Sequence, residues 1–144
     1  AYVMGEHGDS EFAPVSQMML ATKRISEVLE DKCNGYCLED MKKIEEQVRT
    51  AAYKIIEAKN ATYYGIGMAI TRIVKAILGD ENSVLTVSAK LCGEYGCRNA
   101  FAGVPCIIGR NGVKEIIELS LTEDELNSFK NSVDVLEKGF EGVI

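Results

Sequence analysis

Apolar residues recur at helical spacing along the first half of the chain and alternate along the second. Over residues 14–32, Val15, Met18, Thr22, Ile25 and Leu29 fall on one face, which predicts an amphipathic helix with Pro14 near its first turn. The segment 33–37, carrying Asn34-Gly35, ends it. A second helix follows, with Met41, Ile44, Val48, Ala51, Ala52 and Ile55 on one face and Glu39, Lys42, Lys43, Glu45, Glu46 and Arg49 on the solvated one. After the interruption at Lys59-Asn60-Ala61-Thr62, residues 63–78 are apolar on nearly every side, broken only by Thr71, Arg72 and Lys75. Such a helix must be buried, in the core or against another subunit.

Beyond Gly79-Asp80-Glu81-Asn82 the period shortens to two. Leu85, Val87, Ala89 and Leu91 alternate with Thr86, Ser88 and Lys90, predicting a half-buried strand over 84–91. A second strand spans 101–110. Asn111-Gly112 would supply two φ > 0 residues for a tight hairpin into a third strand over 113–119. Thr122 and Glu125 have the spacing of a capping box that opens a helix with Leu126, Phe129, Val133 and Leu136 on its inner face. At the start, residues 1–4 look like the end of a buried strand. The order is strand, three helices, antiparallel strands, helix, which predicts an α+β fold in one domain over 1–144. No dinucleotide-binding strand–turn–helix is present: Tyr64-Gly65-Ile66-Gly67 follows a helix break and lacks a third glycine, so close helix packing explains it better.

Composition narrows the class. The chain has 144 residues, 16 basic against 22 acidic and a net charge of −6, a balance that argues against nucleic acid or an anionic membrane as partner. No apolar run approaches the ~18 residues of a spanning helix, so a cytoplasmic protein is expected. Because an apolar stretch begins at Ala1 and enters a candidate site at once, the chain is expected to be a domain of something longer. Five cysteines, an odd number, form no closed disulfide set. Cys33 and Cys37 are separated by three residues, Cys92 and Cys97 by four, and Cys106 follows. These gaps are wider than the commonest zinc spacing and no histidine is close, so reduced thiols and no metal are expected. A thiolate metal module stays an alternative, as does an assembly module built on the long helices.

The single histidine lies in Gly5-Glu6-His7-Gly8-Asp9-Ser10. An imidazole can take and give a proton near neutral pH, and glycines on either side allow a sharp turn that leaves it uncovered. His7 is the candidate acid/base group, on a loop at the end of a strand, where scaffolds hold catalytic side chains.

These features together resemble the C-terminal catalytic domain of the lactate/malate dehydrogenase family, most closely its bacterial L-lactate dehydrogenases. The His7 segment is similar to the family's active-site signature, and Ala61-Thr62-Tyr63-Tyr64-Gly65-Ile66 to its second substrate-pocket segment. Leu85-Thr86-Val87-Ser88, Gly103-Val104-Pro105 and Asn111-Gly112 resemble its C-terminal strands and hairpin. The resemblance covers essentially the whole chain. It implies NAD as cofactor, lactate and pyruvate as substrates, and His7 as the group that takes the hydroxyl proton and returns it. Thr62 would sit in the substrate pocket and Ile66 against the nicotinamide ring, while Tyr53 matches a position phosphorylated in some relatives. The family's two substrate-binding arginines, the aspartate that orients the histidine and the NAD-binding fold all lie upstream of the signature. The chain alone is therefore expected to be inactive. A homo-oligomer, dimer or tetramer, is also implied. Glu6 favours lactate over malate, but malate or another 2-hydroxy acid remains the alternative within the family. The run Glu11-Phe12-Ala13-Pro14-Val15-Ser16 departs from the usual pattern, in which proline follows more directly.

Overall fold

The structure is a computed structural model that describes residues 1–30, 35 and 37–140. The expected strand at residues 1–4 is replaced by two single bridges, Met4 with Phe12 and Gly5 with Gly103. Met4 and Phe12 are both buried.

Residues 14–32 do not form one helix. A 3-10 turn, Val15–Gln17, leads into a short hairpin of β1 (Met19–Leu20) and β2 (Lys23–Arg24), and only α1 (Ile25–Glu30) is helical among the described residues. Distant partners override the local period. Ser16 donates its N–H and hydroxyl to Glu125 at 2.9 and 2.5 Å, and the Gln17 side chain donates to the Ser120 carbonyl at 2.6 Å. Ala21 then turns left-handed, at φ 54°. Residues 31–34 and 36, where the helix was expected to end, lie outside the described residues.

The second predicted helix is two, α2 (Leu38–Arg49) and α3 (Ala51–Lys59). Thr50 separates them, its hydroxyl donating at 2.8 Å to the Glu46 carbonyl and competing there with the main-chain bond. Asn60, left-handed at φ 61°, stops α3 before α4 (Tyr64–Leu78). Burial of α4 in the core is not observed. Ala76 is its only buried residue, while Tyr64, Met68 and Leu78 expose 77%, 72% and 74% of their surface.

The rest is a three-stranded antiparallel sheet in the order β3 (Ser83–Cys92), β4 (Arg98–Gly109), β5 (Gly112–Ile116), packed against α5 (Glu123–Phe140). β3 alternates as predicted: Ala89 and Leu91 are buried, Leu85 and Val87 pack on the core, and Thr86, Ser88 and Lys90 are exposed. The hairpin differs. Gly109 pairs with Gly112, so Arg110 and Asn111 make the turn, and only Gly112 has positive φ, at 92°. That is a turn followed by a left-handed glycine, not two φ > 0 residues. β5 stops at Ile116 because Pro105 lies opposite the next position. Its carbonyl accepts from Ile117 N–H at 2.8 Å, but it has no N–H to return.

The capping box forms as predicted: Thr122 N–H donates to Glu125 at 3.0 Å, and Glu125 N–H to the Thr122 hydroxyl at 3.3 Å. α5 lays Phe129 and Val133 on the sheet. The Phe129 ring lies 6.4 Å from Phe12, edge to face, and 4.6 Å from Tyr95. With Met4, Leu91, Val104 and Cys106 these residues form the core.

Candidate active site

The histidine loop grows directly out of the sheet. Gly5 and Gly103 exchange main-chain hydrogen bonds at 2.9 and 2.7 Å, and Met4 and Phe12 close the neck with bonds of 2.9 and 3.2 Å. A methyl group on Gly103 would lie 2.9 Å from the Gly5 carbonyl oxygen, so only glycine lets the loop sit this close to β4. Gly5 itself is left-handed at φ 94°, and a methyl there would come within 2.8 Å of the Ser132 Cβ. At the far end a turn bonds Glu11 N–H to the Gly8 carbonyl at 3.2 Å.

His7 stands at the tip of this loop with its side chain 94% exposed. Its Nδ1 lies 3.9 Å from the Glu11 carboxylate, an ion-pair distance too long for a hydrogen bond. Glu11 is held against an apolar cavity of about 220 Å³ that includes Phe12, Met18, Ile44 and Val48. Burial pushes the Glu11 carboxyl up from its ordinary value, against the opposing charges of His7 and Arg49. Asp9 accepts a hydrogen bond from the Tyr53 hydroxyl at 2.6 Å. That bond, together with the Asp9 charge, pushes the Tyr53 phenol up. α3 is thereby fastened to the loop, and Ala13 N–H, donating to Glu45 at 3.0 Å, fastens α2 just beyond it.

Of the residues singled out in the sequence, Tyr53 is tied through Asp9 to the loop that carries His7, without touching the imidazole in any described contact. Thr62 and Ile66 lie at the exposed corner between α3 and α4, Ile66 with 53% of its surface open, and no hydrogen bond joins Thr62 to the His7 loop among the described residues. Gly65 and Gly67 have open space around them. The described residues offer an apolar side chain that could cover one face of a planar ring, and no glycine-rich strand–turn–helix to seat a dinucleotide's phosphates. Cys37, Cys92, Cys97 and Cys106 are free thiols, and burial pushes Cys97 and Cys106 up. Cys33 lies outside the described residues.

Sequence reasoning missed Ser132, which is fully buried and accepts a hydrogen bond from Glu6 N–H at 2.6 Å. The signal was a hydroxyl three residues after Phe129 and beside Val133, on the stripe of α5 that faces the core. A polar residue on a buried stripe needs a partner.

The model of the lactate/malate dehydrogenase α/β C-terminal domain matches residues 1–144. L-lactate dehydrogenase 2 of Bacillus cereus is 50% identical over 144 residues, covering 100% of this chain and 46% of that protein. L-lactate dehydrogenase 1 of Bacillus anthracis is 51% identical with the same coverage of 100% and 46%. The crystal structure of the minor L-lactate dehydrogenase from Enterococcus mundtii, in its ligands-bound form, superposes with a TM-score of 0.94 at 48% identity, over 99% of this chain and 45% of that one. A lactate dehydrogenase enzyme from a Medee basin deep-sea metagenome library gives 0.92 at 40% identity, over 97% and 45%. The chain spans about half the length of the curated relatives it matches.

Proposed function

The chain belongs to the lactate/malate dehydrogenase family as its α/β C-terminal domain, and we propose that it is the catalytic and assembly half of an NAD-dependent L-lactate dehydrogenase with His7 as proton acceptor and donor. The observation that carries this reading is the exposed imidazole of the chain's single histidine, held on a loop bonded at its neck to β4. When bound, NAD supplies the two-electron acceptor and donor. As lactate is oxidised, the His7 imidazole would take the C2 hydroxyl proton while the C2 hydrogen departs with its bonding pair as hydride; in pyruvate reduction C2 regains a hydride and the imidazolium would return the proton to the carbonyl oxygen. Thr62 offers its hydroxyl to the substrate, and Ile66 covers the nicotinamide and excludes water.

The substrate-carboxylate clamp and the dinucleotide seat belong to the rest of the enzyme, so these 144 residues alone should not oxidise NADH with pyruvate. The exposed face of α4 supports a homo-oligomer, and the working enzyme is cytoplasmic. Phosphate on Tyr53 would remove the bond to Asp9 and set a second anion against that carboxylate, loosening the loop.

The test is His7→Ala in the full-length enzyme. We expect turnover of lactate and pyruvate to fall by at least the ~10²–10⁴-fold that a positioned acid/base contributes. Activity near wild type in that variant would overturn the reading.

A further inference from the structure

We propose that Ser132 of α5 is a positioning residue for the proton transfer, setting where His7 stands through a closed ring of hydrogen bonds. The inference rests on the reading of His7 as the acid/base group.

Proton counting fixes the direction of the ring. Glu6 N–H donates to the Ser132 Oγ at 2.6 Å, and the Ser132 and Ser10 hydroxyls lie 3.1 Å apart. Ser10 spends its one hydroxyl proton on the Glu6 carboxylate, with its N–H on the same oxygen at 3.3 Å. A hydroxyl has a single proton to give, so the bond between the two serines must use the proton of Ser132. The circuit runs from Glu6 N–H to Ser132, from Ser132 to Ser10, and from Ser10 back to the Glu6 carboxylate. Every member is satisfied, and the chain between residues 6 and 10 carries His7 at its second position.

Several features make Ser132 the anchor of that ring and not a bystander. It is the only fully buried polar side chain among the described residues. It belongs to an 18-residue helix whose neighbouring Phe129 and Val133 lie in the core, so its Oγ is held by packed core side chains. Gly5 lies beside it on the loop side, so close that an added methyl group would come within 2.8 Å of the Ser132 Cβ. Ser132 touches neither substrate nor cofactor. Removing its hydroxyl would orphan Glu6 N–H, take away the donor to the Ser10 oxygen and free the His7 backbone on one side. A reacting group displaced by about 1 Å can lose on the order of 10²-fold in rate.

The experiment compares Ser132→Ala, Ser128→Ala and His7→Ala in the full-length enzyme. Ser128 is an exposed residue of α5 whose hydroxyl donates only to the Asp124 carbonyl within its own helix. Ser132→Ala should lower kcat for pyruvate reduction by roughly 10- to 100-fold, with KM for NADH and the number of NADH sites per protomer unchanged. Hydrogen exchange at the Glu6 amide should speed up by about tenfold or more, and Ser128→Ala should behave as wild type in every measurement. A wild-type kcat in Ser132→Ala would overturn the proposal, as would a fall in kcat matched by an equal loss of NADH sites, the mark of a purely structural residue. If His7→Ala kept its activity, the functional reading itself would fail, whatever Ser132→Ala did.

Discussion

The sheet with α5 and the trio α2–α4 are both rich in apolar residues, yet only the first buries its own. Leu91, Val104, Cys106, Phe129 and Val133 are sealed between β3, β4 and α5, whereas Ala76 is the one buried residue that α2, α3 and α4 contribute. The difference is one of closure. The sheet offers an apolar face that one helix covers, while the three helices present more apolar surface than the chain can cover. Ile55, Tyr64, Met68, Ile70 and Leu78 are all exposed. The histidine loop is bonded to both regions, by its neck to β4 and α5 and near its tip to α3. A site on that seam takes precision from the closed region and its neighbours from the open one.

The sharpest way to break the comparison is Phe129→Ala. It empties the centre of the closed region and should cost ~3–5 kcal/mol, read as a lower urea midpoint. A loss below 1 kcal/mol, on the order of a surface change, would mean that the core lies elsewhere. In the open region, Thr62→Val in the full-length enzyme should leave the urea midpoint unchanged but cost ~1–3 kcal/mol in kcat/KM for pyruvate through an unpaired partner. Unchanged kinetics would remove Thr62 from the pocket.

Met68→Ser tests what covers α4. It should change folding stability by no more than about 0.5 kcal/mol yet shift the enzyme towards smaller species in sedimentation velocity, since large exposed apolar patches mark interfaces. An unaltered oligomer would place the interface on another face.

A modest, pH-dependent effect is expected at the tie between the closed region and the N-terminal segment. Burial alone would raise the Glu125 carboxyl, but hydrogen bonds from Ser16 and Thr122 outweigh it and hold the group below its ordinary value of 4.5. A depressed folded-state value stabilises the protein above the unfolded value, and the benefit fades as pH falls through the folded one. Glu125→Gln should therefore cost about 1 kcal/mol at neutral pH, with the gap to wild type closing as the solution is acidified below about pH 4. A gap that stayed constant with pH would show that charge plays no part in the tie.

What the sequence determined by itself is local. The alternation of β3, the Thr122–Glu125 cap, the inner stripe of α5 and the glycine-flanked His7 all depend on neighbours a few residues away, so periodicity and residue type were enough to find them. Tertiary structure decided the rest. Residues 14–24 carry a helical period but surrender it because Glu125 and Ser120 claim Ser16 and Gln17 from more than 100 positions away. The anchor of the histidine loop is further still, with 126 positions between Glu6 and Ser132. The link from Tyr53 to Asp9 spans 44. An apolar period shows that α4 needs cover but not where the cover comes from, because the hydrophobic effect has no direction and any apolar surface will serve. A hydrogen bond does have direction and a fixed reach. Its distant partner is settled only when the folded chain brings donor and acceptor within about 3 Å.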